Sequence, residues 1–305
     1  MTVFILLVTK LLALYFLIAL GFIAGRLLNV QKETIASLLI YVLAPLVVFY
    51  GVWTAGLQWN ILALPLLFYV ICILLCLVMT RVGKFLWKDA TANLFGFTAA
   101  TGNTGYFGIP VALTLFGERA VAIISVAILA FGLYENTLGF YTVARGHFSS
   151  EESLKRVIRL PTVYRFILGI IVAASGYQAC SGIVDLATSV RGAYTVLGMM
   201  LIGLGMAGIK SFRMDWKFLA ATFFAKFIVW PLVTGVIILF DLKYLHFFDS
   251  DIHKVMFLLS VVPMAANTVA LATELKAEPE KAATAVLLST LFALGFIPVM
   301  TMLFL

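Results

Sequence analysis

The chain has 305 residues, of which 63% are hydrophobic and 11% are charged, and its mean hydropathy is +1.11. Soluble domains usually carry about 25% charged residues, so this composition excludes a soluble globular protein and predicts one that folds in a lipid bilayer. The net charge of +7 does not indicate nucleic-acid binding, because the bases lie in short loops between apolar segments. Bases in such loops set the membrane topology and contact anionic lipid headgroups.

Ten apolar segments are predicted to cross the membrane, since one span needs about 20 residues. In chain order the predicted spans are 5–25, 34–54, 60–80, 91–116, 119–143, 163–178, 192–209, 216–239, 252–275 and 281–304. The longest polar break is 145–162, near the middle of the chain. The first segment has no small-residue cleavage site, so we expect a retained helix and not a signal peptide.

The distribution of Lys and Arg predicts the topology. Fifteen of the 21 Lys and Arg residues fall in the loops after the odd-numbered spans, counting Arg165 at the start of the sixth span. The positive-inside rule therefore predicts a multi-pass protein of the cell membrane, with both termini outside and the central loop in the cytoplasm.

The two halves of the chain resemble each other. Trp59–Ala63 opens the third span and Trp216–Ala220 opens the eighth, at an offset of 157 residues. Ala112–Leu113 and Ala270–Leu271 match at an offset of 158. Because each half has five spans, the second copy must enter the membrane from the opposite face, an arrangement typical of secondary transporters. We therefore predict an all-α membrane protein of two inverted repeats: the first repeat 1–148, a cytoplasmic loop 149–162, and the second repeat 163–305.

Two of the predicted spans contain residues that break helices. The fourth span holds three glycines and one proline between Gly102 and Pro110, and the ninth holds a shorter interruption from Pro263 to Thr268. Glycine and proline destabilise a helix interior, and in lipid an unwound stretch is permitted only where protein or a water-filled cavity satisfies its backbone. The fourth and ninth helices are therefore predicted to be broken and to cross each other.

Such a crossing would point free N–H groups and the positive ends of half-helix dipoles at one place, where an anion can bind. The candidate substrate-binding residues are Asn103, Thr104, Gly105, Gly108, Ile109, Pro110, Pro263, Ala266, Asn267, Thr268 and Lys226. The alternative is that glycine and proline are common in membrane helices and only permit close packing.

Three polar residues within spans have two interpretations each. Lys226 lies in the middle of the eighth span, where a charge is costly unless it faces protein or water. Its functional interpretation is a partner for an anion or a group that loses its proton during transport, and its structural interpretation is a bridge to carbonyls freed in the ninth span. Glu135 and Asn136 in the fifth span are candidates for ion coupling, and the alternative is a hydrogen-bonded packing contact.

Nothing in the sequence indicates an enzyme. Cys72, Cys76 and Cys180 have no metal-ligand spacing, and the three histidines do not cluster with other ligand residues. The chain has no phosphate-binding loop and no nucleophile elbow. We predict no metal, no cofactor and no ATP hydrolysis, so any pumping would draw on an ion gradient.

Several segments resemble the auxin efflux carrier family. The stretch Asn103–Pro110, followed by Gly117, resembles the fourth-helix crossover of that family, and Pro263–Glu274 resembles its ninth-helix crossover. Further segments resemble bacterial members: Gly21–Leu28, Ala44–Pro45, and Lys226 with Pro231. Thr268 departs from the plant pattern, since a crossover proline is expected there.

The resemblance implies a fold like that of bile-acid and sodium/proton transporters, with a dimer-forming scaffold of helices 1, 2, 6 and 7. Helices 3–5 and 8–10 would form a transport domain that slides against the scaffold, as in an elevator. Family substrates are small carboxylates, such as auxin in plants and malate or malonate in bacteria. The coupled ion would be H⁺ or Na⁺, with simple uniport also open. The alternatives on the same fold are an anion channel and a ligand-sensing receptor.

Overall fold

The computed structural model describes residues 2–28, 30–55, 59–144, 161–207, 214–275 and 277–304. Within these ranges the chain forms α-helices and π-helical turns and no strand. The predicted cytoplasmic loop 149–162 lies outside the described residues except for its last two positions.

The α-helices follow one another along the whole described chain. They are α1 (Thr2–Leu27), α2 (Lys32–Leu38), α3 (Ala44–Ala55), α4 (Trp59–Leu62), α5 (Leu64–Leu86), α6 (Thr91–Ala99), α7 (Ile109–Phe116), α8 (Glu118–Asn136), α9 (Leu138–Ala144), α10 (Pro161–Ala174), α11 (Ser181–Ala207), α12 (Trp216–Phe224), α13 (Trp230–Phe240), α14 (Ser250–Val261), α15 (Asn267–Glu274) and α16 (Pro279–Phe304). Four π-helical turns extend them: Leu39–Leu43, Thr104–Gly108, Ala225–Val229 and Asp241–Leu245.

Six continuous helical stretches of the described chain are long and apolar enough to cross a membrane. They are Glu33–Thr54, Trp59–Leu86, Glu118–Ala144, Ser181–Ala207, Trp216–Leu245 and Pro279–Phe304. The fourth and ninth predicted spans are each divided into two short helices, so neither reaches the length of a span as one helix. The structure therefore shows an all-helical membrane protein, and the count of ten spans stays a prediction.

One set of helices, here called the scaffold group, consists of α1, α2, α3, α10 and α11. The closest packing in it is between α1 and α11. A Cβ on Gly21 would overlap the carbonyl oxygen of Met200, and a Cβ on Gly203 would overlap that of Ile18. Glycine at both positions lets the two backbones touch, which is how membrane helices commonly associate.

The remaining helices, here called the transport group, pack around a buried aromatic cluster. Phe68 on α5, Phe131 on α8 and Trp230 on α13 are each at most 2% exposed. The ring centroids of Phe68 and Phe131 are 5.6 Å apart, and those of Phe131 and Trp230 are 6.0 Å apart. Aromatic pairs at such distances add stability beyond the area that they bury. This cluster joins elements from both halves of the sequence into one body.

Helices α12 and α6 of the transport group each begin with an aspartate that accepts a backbone N–H. Asp215 accepts from Phe218 at the start of α12 (3.0 Å), and Asp89 accepts from Thr91 at the start of α6 (2.9 Å). Hydrogen bonds from the hydroxyl and then the N–H of Thr91 lower the pKa of the Asp89 carboxyl. These carboxylates satisfy N–H groups that have no acceptor inside the helix.

We expect Gly203→Ala to lower the stability of the folded protein, because the added methyl group must push α11 away from the α1 backbone. Overpacking of this kind typically costs about 1–3 kcal/mol. The measurement is the thermal unfolding midpoint of the purified protein in detergent. Gly205→Ala on the same helix is the control, since a Cβ there meets nothing within 4 Å. Equal midpoints for the two variants would contradict the close packing.

Candidate functional site

The two interruptions lie against each other at the centre of the transport group. Residues 100–103 separate α6 from the π-helical turn that precedes α7, and residues 262–266 separate α14 from α15. The N–H of Asn103 donates to the carbonyl of Pro263 over 2.8 Å. A backbone hydrogen bond therefore joins the fourth and ninth predicted spans at the point where both are unwound.

Neighbouring helices provide partners for backbone groups that the interruptions free. The indole Nε1–H of Trp230 donates to the carbonyl of Ala99, the last residue of α6, over 2.7 Å. The hydroxyl of Ser289 on α16 accepts from the N–H of Met264 over 3.1 Å. Such partners are required because lipid offers none and an unpaired backbone group there costs several kcal/mol.

A cavity of about 240 Å³ lies beside the crossing. Its lining residues come from both interruptions, from α8 and from one position on α11: Gly102, Asn103, Thr104, Gly105, Tyr106, Ile128, Leu129, Phe131, Gly132, Leu133, Glu135, Asn136, Tyr194, Ala265, Ala266 and Asn267. A larger depression of about 600 Å³, between Asp215 and Lys281, is open to the surface and shares no lining residue with the cavity. Small-molecule sites in proteins are concave and mostly apolar with a few convergent polar groups, which describes the smaller cavity better.

Glu135 links the two interruptions through its side chain. Its Oε1 accepts a hydrogen bond from the hydroxyl of Thr101 over 2.5 Å, and its Oε2 accepts one from the Asn267 amide over 2.7 Å. The carboxylate thus makes the hydrogen-bonded packing contact that was one of its two interpretations. It also lines the cavity, so a contact with a bound molecule is geometrically open to it.

The structure divides the predicted binding residues into two sets. Those that line the cavity are Asn103, Thr104, Gly105, Ala266 and Asn267, together with the coupling candidates Glu135 and Asn136. Those that do not line it are Gly108, Ile109, Pro110, Pro263, Thr268 and Lys226. Pro263 still contributes its carbonyl to the crossing.

Pro110 does not break the fourth span as its composition predicted. It lies near the start of α7, which continues directly from the π-helical turn Thr104–Gly108, so the helical stretch runs through it. The chain unwinds earlier, at 100–103. Pro110 therefore lies within the second half-helix and leaves the cavity to the residues before it.

Lys226 is fully buried in the π-helical turn Ala225–Val229. Its Nζ lies 4.6 Å from the ring centroid of Trp230 and forms no hydrogen bond with any residue that the structure describes. The bridge to carbonyls freed in the ninth span, which was one of the two interpretations of Lys226, is therefore not seen among the described residues. A Cβ on Gly102 would lie 2.7 Å from this Nζ, so the ammonium group lies against the backbone of the first interruption. Gly102 itself lines the cavity.

Sequence reasoning missed an aromatic pair in the cavity wall. Tyr106 follows the first interruption and Tyr194 lies on α11, with ring centroids 6.3 Å apart and planes inclined by 30°. Tyr194 is the one lining residue that the scaffold group contributes. No sequence signal marks it, because a tyrosine within an apolar helix is common and its contact depends on how the two groups of helices pack.

We expect Trp230→Phe to destabilise the protein by about 1–3 kcal/mol, because the buried carbonyl of Ala99 loses its donor. The measurement is the temperature at which the helical circular dichroism signal is lost on heating in detergent. Trp59→Phe is the matched control, since Trp59 is 81% exposed. If both variants unfold at the temperature of the parent protein, Trp230 does not stabilise the interruption.

Comparison with known proteins places the chain in a family. The sequence model of a family described as "Membrane transport protein" matches residues 6–146 and again residues 143–301, one match in each half of the chain. An uncharacterized transporter of Methanocaldococcus jannaschii is 26% identical over 282 residues, which cover 89% of this chain and 89% of that protein. Family and relative are both transporters and not enzymes. The chain therefore belongs to the membrane transport protein family, which is that of the auxin efflux carriers.

Proposed function

We propose that this chain is a secondary transporter that carries a small carboxylate-bearing molecule across the cell membrane. The observation that carries the proposal is the hydrogen bond between Asn103 and Pro263, which joins two interrupted helices beside a cavity. Broken helices near the middle of the membrane form the substrate sites of many secondary transporters. The two matches of the family model, one in each half, support the predicted pair of inverted repeats.

The anion-binding end of the proposed site is formed by the residues that begin the second half-helix. Asn103 is 6% exposed and lines the cavity, so its amide can reach a molecule bound there. Gly105 follows it in the first turn, where N–H groups have no acceptor within the helix. A carboxylate placed here would receive hydrogen bonds from the amide and the backbone, and the helix dipole would favour its charge.

Lys226 adds a positive group behind this end of the cavity. Its ammonium group lies against Gly102. Gly102 lines the cavity and Lys226 does not, so the glycine separates the ammonium group from a bound molecule. Charges act over several ångströms in a low-dielectric interior, so an anion in the cavity would be attracted without touching the lysine. Lys226 therefore serves the proposed site as an indirect partner of the anion.

The distribution of lining residues supports an elevator-type movement. All of them except Tyr194 belong to the transport group, and Tyr194 belongs to the scaffold group. A substrate held by the crossing would travel with the transport group and exchange only its contact with the scaffold. In this proposal the scaffold forms a homodimer, both termini lie outside, and a gradient of H⁺ or Na⁺ drives any uphill transport.

The test is uptake of radiolabelled carboxylates by proteoliposomes that contain the purified protein. We expect Asn103→Ala to reduce uptake about tenfold to a hundredfold, because a hydrogen bond to a charged group contributes about 1.5–3 kcal/mol. Asn60→Ala is the control, because Asn60 lies at the start of α4 and does not line the cavity.

Wild-type uptake by Asn103→Ala would exclude the crossing as the substrate site. Flux far above the turnover of carriers would indicate a channel on the same fold, and binding without any flux would indicate a receptor.

A further inference from the structure

The proposed carboxylate site contains a carboxylate of its own. Glu135 lines the cavity, and no Lys, Arg or His does so within the described part of the chain. A substrate with only a negative charge would be repelled by Glu135, since like charges at short range in a low-dielectric site interact strongly. Lys226 lies behind Gly102 and does not line the cavity, so a positive charge in contact with Glu135 would have to come with the substrate carboxylate. This inference, which rests on the proposed function, concerns that charge.

Glu135 is arranged to receive a cation from the cavity side. Thr101 and Asn267, the two residues that hold it, each donate one hydrogen bond to a different oxygen. An ionised carboxylate has about four acceptor positions, so two of them remain for another donor. Neither of the two donors is charged, and so the negative charge of Glu135 is not neutralised by the residues that hold it.

The acidic and the anion-binding ends of the cavity are close together along the chain. Thr101, which holds Glu135, is two residues before Asn103, which lines the cavity. The short interruption between them keeps both groups at the crossing. Glu135 attracts a positive group and Asn103 a negative one. A molecule that bears an ammonium and a carboxylate on the same carbon atom can contact both.

Most of the remaining cavity wall is apolar, although Thr104, Asn136 and Asn267 also line it. α8 contributes aliphatic and aromatic side chains, and Tyr106 and Tyr194 close the wall with their rings; the apolar residues on α8 are Ile128, Leu129, Phe131 and Leu133. A volume of about 240 Å³ has room for one small molecule with an apolar part of a few carbon atoms. The polar groups would fix the charged end of such a molecule, and the walls would take up its apolar end.

We propose that the substrate of this site is a zwitterion, an α-amino acid with an apolar side chain. Its carboxylate binds at Asn103 and the first turn after it, and its ammonium binds Glu135. Its apolar side chain packs against the wall that α8 and the two tyrosines form. The bound substrate then brings its own positive charge, and no proton on Glu135 is needed.

Three molecules that share the apolar side chain of leucine test the proposal by isothermal titration calorimetry on the full-length protein. L-Leucine has both charges, 4-methylpentanoate lacks the ammonium, and 3-methylbutylamine lacks the carboxylate. We expect leucine to bind at least tenfold more tightly than either of the others. Equal or tighter binding of 4-methylpentanoate would overturn the zwitterion and assign the missing positive charge to a proton on Glu135.

A substitution identifies the residue that recognises the ammonium. In Glu135→Gln, the preference for leucine over 4-methylpentanoate should fall at least tenfold, because the amide keeps the shape of the side chain and loses its charge. Glu278→Gln, at an exposed position before α16, is the control and should keep the wild-type preference. An unchanged preference in Glu135→Gln would overturn the assignment of Glu135.

If Glu135→Gln does not fold, the comparison of the three molecules on the wild-type protein still tests the proposal. Uptake by proteoliposomes separates this inference from the proposed function. Transport of 4-methylpentanoate but not leucine would overturn the zwitterion and leave a carboxylate transporter. If the protein neither binds nor transports leucine or 4-methylpentanoate, both the zwitterion and the proposed function are overturned.

Discussion

The architecture depends on the hydrogen bond from the Asn103 N–H to the Pro263 carbonyl, which pairs backbone groups that lipid cannot pair. Inside a bilayer no water is available to unpaired backbone groups, so a helix can be interrupted only where protein supplies partners. Here two interruptions supply a partner to each other, and Trp230 and Ser289 supply two more. Without these contacts the unwound residues would be too costly to keep beside a cavity.

The same constraint explains how the site acquires its charge pattern. An unwound backbone exposes N–H groups that attract anions, while Glu135 crosses between the two interruptions and presents a carboxylate to the same space. Lys226 lies behind the first interruption, against Gly102. The cavity therefore has a group that attracts cations close to groups that attract anions. Nearly all of its described lining belongs to the transport group, so in the proposed elevator movement these groups would move together with a bound substrate.

Features that depend on local sequence could be predicted, and features that depend on distant contacts could not. Hydropathy predicted an all-helical membrane protein, and Gly102 and Pro263 predicted that the fourth and ninth spans are interrupted, although the first interruption ends before Gly105 and Pro110. The sequence did not predict that Trp230 would bond to Ala99, or that Tyr194 would reach the cavity, because each contact joins residues far apart in the chain. Lys226 was placed in a span correctly, but its neighbours depend on how the helices pack.

The most direct test of the account is a cryo-electron microscopy structure of the protein in lipid nanodiscs. The account predicts that residues 100–103 and 262–266 are unwound and touch at mid-membrane, with the Asn103 nitrogen within hydrogen-bonding distance of the Pro263 oxygen. Continuous helices through both segments, lying apart from each other, would contradict it and remove the proposed binding site.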